Sequence, residues 1–402
     1  MLAIAAASIL LAGCQLGGGG GAAKSPTATT PNPATSSGNA NDQSQRIGSA
    51  PTTTTAPHVT ITADPPKGAT GVSPDHAVTI STSDAQIQAV TVSSPVGNVD
   101  GAISAEGNGW TSTSGLVPAT TYAVHLTVLR GATPSDQDWT FSTAAATKVF
   151  RATIRPGDNA TVGVGMPVAV TLNAPVAPAN RAAFAQRLVV TAVPPVAGAW
   201  HWFSATELHW RPETYWAPHT QVSVAANIAG YNAGNGAFAK ANVAVHFSIG
   251  DSHFSLVDAA KHQMAVLTNG ALVRAIKVST GSAKYPTHTG IHVVTEKKPS
   301  VTMDSATVGI PRDSPDGYFE TVKWDVRISN SGEFVHAAPW STSHQGNSNV
   351  SHGCVNVSNA DGEWFYNYSQ VGDVVQVIGT NLQLTPTNGL GDWQIPWAQW
   401  AN

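Results

Sequence analysis

The chain has 402 residues and a formal net charge of −4, and only 11% of its residues are charged. Coiled coils and helical repeats are rich in Glu, Lys and Arg, so this composition excludes both. The 20 basic residues are scattered along the chain, which argues against a nucleic-acid-binding surface. The only cysteines are Cys14 and Cys354, which excludes a disulfide framework and a cysteine-rich zinc site.

The N-terminus has the pattern of an export signal followed by a tether. Residues 1–13 are almost wholly apolar, are too few to span a bilayer and end in small residues, so they predict a signal peptide. The run Leu11-Ala12-Gly13-Cys14 resembles the bacterial lipoprotein signal. That resemblance implies lipidation of Cys14 and anchoring to the outer face of the cytoplasmic membrane, facing the periplasm or cell wall. An ordinary secretory signal with a coincidental cysteine is the alternative. Residues 14–56 are mostly Gly, Ser, Thr, Pro, Ala and Asn, which predicts a disordered tether.

Residues 57–250 are predicted to form two tandem immunoglobulin-like β-sandwiches. Apolar and polar residues alternate with a period of two in short runs that turn residues separate. The segment 66–74 returns in related form at 156–165, an offset of about 90 residues that is close to the size of one immunoglobulin-like domain. We therefore expect a first sandwich at 57–146 and a second at 147–250.

Residues 251–379 predict a third, β-rich domain with a short helix. Asn269-Gly270 lies between two alternating runs and predicts a type I′ hairpin. A second hairpin turns at 330–332 and ends at His336. Ser358 followed by Asp361 resembles a capping box and predicts the start of a helix. The tail at 380–402 carries three tryptophans, and we expect it to pack on this third domain.

The sharpest chemical signal is the pair of His336 and Cys354. A thiolate is the nucleophilic form of cysteine, and a thiol near neutral pH therefore needs a base, for which histidine is suited. The end of one strand would deliver His336 beside a turn that delivers Cys354. Gly353 allows a substrate carbonyl to approach closely and lets backbone N–H groups face it. A buried structural cysteine is the alternative, but the neighbours of Cys354 are polar turn residues.

His336 and the run Ser351-His352-Gly353-Cys354-Val355-Asn356 together resemble the signature of the L,D-transpeptidases, whose catalytic domain is of the YkuD type. The resemblance extends from about residue 251 to the end of the chain. With the lipoprotein signal and two sandwiches, the whole chain is similar to the two-immunoglobulin-like-domain type found in actinobacteria. The fold class implied is mainly β: two sandwiches, then a YkuD-like catalytic domain with a short helix and a C-terminal tail.

The resemblance also implies roles for individual residues. Cys354 would be the nucleophile, His336 the base, and the backbone carbonyl of Ala337 would hold the imidazole tautomer. The Tyr318 hydroxyl and the N–H groups of Gly353 and Cys354 would stabilise an oxyanion. The substrate groove implied runs along Met303, Tyr318, Ser331, Gly332, Trp340, Ser351, His352 and Asn356, and Met303 and Tyr318 belong to a lid segment.

The activity implied is transpeptidation of peptidoglycan. Stem tetrapeptides would be donor and acceptor, D-alanine would leave, a thioester on Cys354 would form, and a 3→3 cross-link would result. Carbapenems would acylate the same thiol. No cofactor is implied, and no metal is predicted, because the loop at 232–236 has no carboxylate for a hard cation.

Two other classes compete with this prediction. A sortase-type transpeptidase would need an arginine beyond the cysteine, but no Lys or Arg follows Arg327. A non-catalytic envelope lipoprotein could bind peptidoglycan through its sandwiches, and the intact pair of His336 and Cys354 argues against it.

Overall fold

The computed structural model of the protein describes residues 59–402, apart from residue 235. The predicted signal peptide, the tether and Cys14 lie outside the described residues. Within the described part of the chain, no helix is long and apolar enough to cross a membrane.

The first sandwich consists of two antiparallel sheets. Its strands are β1 (Thr60–Asp64), β2 (Thr79–Ser83), β3 (Gln86–Ser94), β4 (Gly97–Val99), β5 (Gly101–Ile103), β6 (Gly109–Ser112), β7 (Thr121–Arg130) and β8 (Thr133–Ser142). One sheet has the order β1-β2-β6-β5 and the other β4-β3-β7-β8. In β7 the buried and exposed side chains alternate, as the period-two pattern predicts. The buried side chains of both sheets, among them Trp110, Leu126 and Phe141, form one core.

The second sandwich repeats this architecture with an added small sheet. Its strands are β9 (Lys148–Phe150), β10 (Ala152–Arg155), β11 (Ala160–Val162), β12 (Val168–Leu172), β13 (Leu188–Val193), β14 (Gly198–Trp202), β15 (Glu207–Pro212), β16 (Gln221–Ala226), β17 (Asn232–Gly234), β18 (Ala237–Ala239) and β19 (Val243–Ile249), with the helix α1 (Arg181–Ala185). The sheet orders are β10-β12-β15-β14, β11-β19-β16-β13 and β17-β18-β9.

The C-terminal domain packs a helix on one of its two sheets. Its elements are β20 (His253–Asp258), β21 (Gln263–Thr268), β22 (Ala271–Lys277), β23 (His288–Val293), β24 (Glu296–Asp304), β25 (Phe319–Arg327), β26 (Phe334–Ala337), β27 (Val355–Val357), α2 (Asn359–Tyr368), β28 (Val374–Ile378), β29 (Leu382–Gln383) and α3 (Trp397–Trp400). Short 3-10 helices lie at Pro178–Asn180 in the second sandwich and at Ser305–Val308, Pro339–Ser341 and Asp392–Gln394 in the C-terminal part. The sheets have the orders β22-β21-β20-β28-β23-β29 and β24-β25-β26-β27.

Both predicted hairpins and the capped helix of this domain are confirmed. Asn269 and Gly270 have φ of 48° and 82°, as a type I′ turn between β21 and β22 requires. The Ser358 side chain accepts a hydrogen bond from the Asp361 N–H at the start of α2. Gly362 lets α2 lie directly on β26, because a Cβ there would stand 2.9 Å from the Ala337 nitrogen.

Glycines allow the closest backbone contacts between neighbouring domains. A Cβ on Gly115 of the first sandwich would lie 2.4 Å from the carbonyl oxygen of Gly230 in the second. A Cβ on Gly163 of the second sandwich would lie 2.3 Å from the Asp373 nitrogen of the C-terminal domain. Real Cβ atoms are excluded at such distances, so the backbones meet only because these positions lack side chains.

The C-terminal tail bridges two domains, whereas the sequence predicted packing on the last domain alone. Leu382 and Gln383 do pair with β23 of the C-terminal domain. The indole N–H of Trp393 and that of Trp400, however, donate to the Gly165 and Ala199 carbonyls of the second sandwich. The guanidinium of Arg211 in the second sandwich lies 4.5 Å from the ring centroids of Trp393 and Trp400. The prediction missed these contacts because Arg211 is remote from the tail in sequence.

The fold-class prediction of a mainly β chain, with tandem sandwiches before a β-rich domain, is confirmed.

Candidate active site

Two neighbouring strands bring His336 and Cys354 to the same place. The hairpin of β25 and β26 carries His336 near the end of its second strand, as the third residue of β26. Strand β27 then pairs with β26 in parallel, with Val335 opposite Val355 and His336 opposite Asn356. Cys354 directly precedes β27, so its turn reaches the edge of the sheet beside the histidine.

The imidazole of His336 has a defined tautomer. Its Nδ1 lies 3.0 Å from the Ala337 carbonyl oxygen, which can only accept, so Nδ1 carries the proton and Nε2 is left as the acceptor. Burial lowers the pKa of His336 to about 4, against the opposing effect of hydrogen bonds to Ala337 and Asn356. The ring is therefore neutral near pH 7. Since the Ala337 contact comes from the main chain, the residue type at 337 matters little.

The thiol of Cys354 is also neutral in this conformation. Its pKa is raised to about 12, mainly by burial; a hydrogen bond from the Phe334 backbone opposes this shift, and the charges of Glu333 and Asp325 contribute to it. The Sγ atom lies 3.6 Å from the Gly332 carbonyl oxygen, to which it donates. A neutral thiol needs a general base, and the unprotonated Nε2 of His336, which lines the same cavity, has the right protonation state for that task.

The turn before Cys354 is held by hydroxyl groups. The Ser351 Oγ donates to the Cys354 carbonyl at 2.6 Å and accepts from the Gly353 N–H at 3.1 Å. The Thr287 Oγ1 donates to the Gly353 carbonyl at 2.7 Å. Gly353 has φ of +118°, which favours glycine. The Gly353 N–H is thus engaged within the turn in this conformation, which differs from its predicted role as an oxyanion donor.

A cavity of about 280 Å³ opens over the thiol. Its lining residues are Met303, Tyr318, Glu320, His336, Trp340, Ser341, His344, Val350, Ser351, His352, Cys354 and Asn356. The structure therefore brings most of the predicted groove residues together. Ser331 and Gly332 are not among the residues that line this cavity. The Ser331 N–H donates to the Asn388 side chain of the tail, and Gly332 meets the site through its carbonyl.

Aromatic rings shape the walls of the cavity. The rings of Tyr318 and His352 have centroids 5.0 Å apart, and Tyr285 lies 4.8 Å from His352 on its other side. Burial, followed by the nearby Cys354, raises the pKa of Tyr318 to about 12, so its hydroxyl remains a hydrogen-bond donor. The ring centroids of Trp340 and His336 are 6.1 Å apart, and Trp340 is 53% exposed. Trp340 therefore presents an apolar surface that is accessible to a ligand in the cavity.

The sequence did not single out Glu320 or Glu333. Glu320 is the second residue of β25 and follows Tyr318 by two positions, and extending the period of two back to Tyr318 could have predicted that both face the same side. Glu333 is 4% exposed and accepts hydrogen bonds from the His288 N–H at 2.7 Å and from its Nδ1 at 2.8 Å. No local pattern links His288 with Glu333, because the two residues are 45 positions apart in the sequence.

Asp325 is a further buried carboxylate that the sequence did not single out. A bulge in β25, with Trp324 at φ of 61°, makes the consecutive residues Asp325 and Val326 both buried. Neither carboxylate oxygen of Asp325 has a hydrogen-bond partner. Burial raises the pKa of Asp325 to about 7. This pKa lies above the value of about 4 that Asp has in the unfolded chain. The free energy of unfolding therefore decreases as the pH rises from about 4 through about 7.

Replacing Asp325 with asparagine should therefore stabilise the fold in a pH-dependent way. We expect the free energy of unfolding to increase by roughly 2 kcal/mol more at pH 8.5 than at pH 5, because only the charge is removed. Urea unfolding at both pH values measures this difference. The matched control is Asp313→Asn, at an exposed aspartate of the same domain, which should change little. An equal effect of Asp325→Asn at the two pH values would contradict the shifted pKa.

Comparison with known proteins identifies the family. The model for the L,D-transpeptidase catalytic domain, YkuD, matches residues 252–377, and the model for the bacterial Ig domain matches 69–232. L,D-transpeptidase 2 of Mycobacterium tuberculosis is 39% identical over 342 residues, which are 85% of this chain and 83% of that protein. The chain belongs to the L,D-transpeptidase family. It is accordingly an acyltransferase enzyme, as its motif predicted, and not a member of the sortase family.

Further similarities cover a little more than half of the chain. L,D-transpeptidase 1 of M. tuberculosis is 35% identical over 228 residues, which are 57% of this chain and 84% of that protein. A solved structure of an LD transpeptidase in complex with imipenem is 34% identical, with a TM-score of 0.50, and the match covers 56% of this chain and 97% of the other. In the described residues of this L,D-transpeptidase, no group of three or more His, Cys, Asp or Glu residues could hold a metal ion.

Proposed function

We propose that this L,D-transpeptidase cross-links peptidoglycan through a thioester on Cys354. The observation that carries the proposal is that a neutral thiol and a histidine whose Nε2 is an unprotonated acceptor line one cavity. The donor would be a stem tetrapeptide whose third residue is meso-diaminopimelate. The product would be a 3→3 cross-link between two stems.

The acylation step follows from the protonation states. His336 Nε2 takes the thiol proton as the Cys354 Sγ forms a bond with the carbonyl carbon of the third residue. The tetrahedral oxyanion is stabilised by the Tyr318 hydroxyl, which is a donor at neutral pH, and by the Cys354 N–H. When the C–N bond breaks, the imidazolium gives its proton to the leaving amine, and D-alanine departs. Cys354 then carries the thioester.

The second step transfers the acyl group to an amine. The side-chain amine of a second stem attacks the thioester carbon, and the C–S bond breaks. The amine loses one proton to His336, which returns it to the sulfur, so the thiol and the neutral imidazole are restored. Trp340, Met303 and His352 border the cavity in which both stems would have to lie.

We also propose that the enzyme acts at the cell envelope, held through lipid on Cys14. The Leu11-Ala12-Gly13-Cys14 run supports this proposal. A diacylglycerol mass on Cys14 in the mature protein, isolated from its own host, is the expected result. An unmodified Cys14 would contradict the anchor without affecting the proposed reaction.

The reaction is tested by intact-mass measurement with a carbapenem and with the natural donor. We expect imipenem to add once to the protein as its β-lactam ring opens, and we expect Cys354→Ala to remain unmodified. We also expect release of D-alanine from a disaccharide-tetrapeptide and formation of a cross-linked dimer. A protein that forms no adduct and releases no D-alanine would refute the proposal.

A further inference from the structure

One carboxylate in the active-site cavity has no structural partner. Glu320 lies on β25, opposite Met303 on β24, and both residues line the cavity that contains Cys354. No hydrogen bond or ion pair is found for its carboxylate among the described residues. No Lys or Arg side chain lines the cavity, and Glu320 is its only carboxylate.

Two cationic side chains of the segments that precede β25 are already paired. The guanidinium of Arg312 binds the Asp304 carboxylate, and its centre lies 4.4 Å from the ring centroid of Phe319. The ammonium of Lys284 binds Asp316. Glu320 is exposed to solvent and has no countercharge among the described residues, and desolvation alone raises its pKa. An unpaired carboxylate in the wall of a cavity can bind a cationic group that enters the cavity.

The reaction itself supplies such a cation. We propose that Glu320 binds the ammonium group of the acyl acceptor and takes the proton that this group must lose before it can attack the thioester. This inference rests on the proposed function and specifies which chemical class the second site of the cavity recognises. It commits to the acceptor because Glu320 and Tyr318, the candidate oxyanion donor two residues before it, line the same cavity as Cys354. An ammonium bound by Glu320 therefore lies in the cavity that holds the thioester.

Protons and bonds balance in this step. The ammonium transfers one proton to the Glu320 carboxylate and becomes a neutral amine. The amine forms the new C–N bond, the C–S bond of the thioester breaks, and the second proton passes through His336 to the Cys354 sulfur. The products are an amide, a free thiol and a protonated Glu320, which releases its proton to solvent.

The experiment measures the partition of the thioester between transfer to the acceptor amine and hydrolysis by water. The donor is an isotopically labelled disaccharide-tetrapeptide, and the acceptor is an unlabelled disaccharide-tripeptide, which has no D-alanine to release. Mass spectrometry gives the ratio of labelled cross-linked dimer to labelled hydrolysed tripeptide at increasing acceptor concentrations. This ratio does not depend on the rate of acylation, which is recorded separately as D-alanine release.

For Glu320→Gln we expect the ratio of dimer to hydrolysed product to fall about tenfold, mainly through a higher KM for the acceptor. Glu320→Asp keeps the carboxylate and should recover part of the ratio. The matched control Glu363→Gln, at an exposed position of α2, should leave it unchanged.

An unaltered ratio in Glu320→Gln overturns the inference. So does slower D-alanine release with an unaltered ratio, which would place Glu320 on the donor. If the wild-type protein releases no D-alanine at all, the proposed function fails instead, so the two failures are distinguishable.

Discussion

The His336→Gln variant should be acylated by imipenem about 10³-fold more slowly than the wild-type protein. With a pKa of about 12, only about one Cys354 thiol in 10⁵ is ionised at pH 7, so uncatalysed attack is slow. Glutamine can still donate to the Ala337 carbonyl, but it cannot accept the thiol proton. The rate of adduct formation, followed by intact mass, measures the loss.

The pH dependence distinguishes general-base catalysis from a preformed thiolate. The pKa of His336 is about 4, so the wild-type rate should rise as the pH increases through about 4 and be constant from pH 6 to 9. In His336→Gln the rate should instead rise about tenfold per pH unit, because only the thiolate reacts. His246→Gln, at an exposed histidine of β19, is the control and should behave like the wild type. A wild-type rate that follows a group titrating near pH 7 would contradict this mechanism.

The second prediction with a large effect concerns the stability that a buried residue of the C-terminal tail contributes. Asp392 is fully buried, and its Oδ1 lies 2.7 Å from the Nδ1 of His209 in the second sandwich. Removing the Asp392 charge leaves the buried imidazolium with only the more exposed Glu207, 3.2 Å from its Nε2, as a countercharge. We expect Asp392→Asn to lower the free energy of unfolding by about 3–5 kcal/mol, measured by urea unfolding at pH 6.5. Asp158→Asn is the control, because Asp158 faces His246 at the surface of the same sandwich, where such pairs contribute little.

The same variant has a predictable pH response. Burial lowers the pKa of His209, but the hydrogen bonds to Asp392 and Glu207 outweigh it and raise the pKa to about 9. A folded pKa above the unfolded value of about 6.5 gives stability that is complete below pH 6.5 and is lost as the pH rises through 9. The difference between wild type and Asp392→Asn should therefore shrink between pH 7 and pH 10. A constant difference would show that His209 is not charged in the folded protein.

Local patterns in the sequence were enough to predict the centre of the site. The hairpin that ends at His336, the polar turn at Cys354 and the capped helix after it are each encoded within a few residues, and each is found. The roles of the groove residues remain predictions. Ser331 contacts the tail through Asn388, and no short-range signal indicates this contact.

Long-range ion pairs could not be predicted in the same way. His209 and Asp392 are 183 residues apart, and neither lies in a motif. Asp325 occupies a position that strict alternation would expose, and the bulge at Trp324 overrides that pattern. The tail was expected on the last domain because sequence proximity was the only guide to its neighbour.

The glycine contacts between domains have an evolutionary consequence. Because Gly115, Gly230 and Gly163 lie where any side chain would meet the backbone of a neighbouring domain, a substitution at any of them would force two backbones apart. None of the three belongs to the residues that line the cavity. Selection on the contacts between domains and selection on catalysis can thus act on separate residues of one chain.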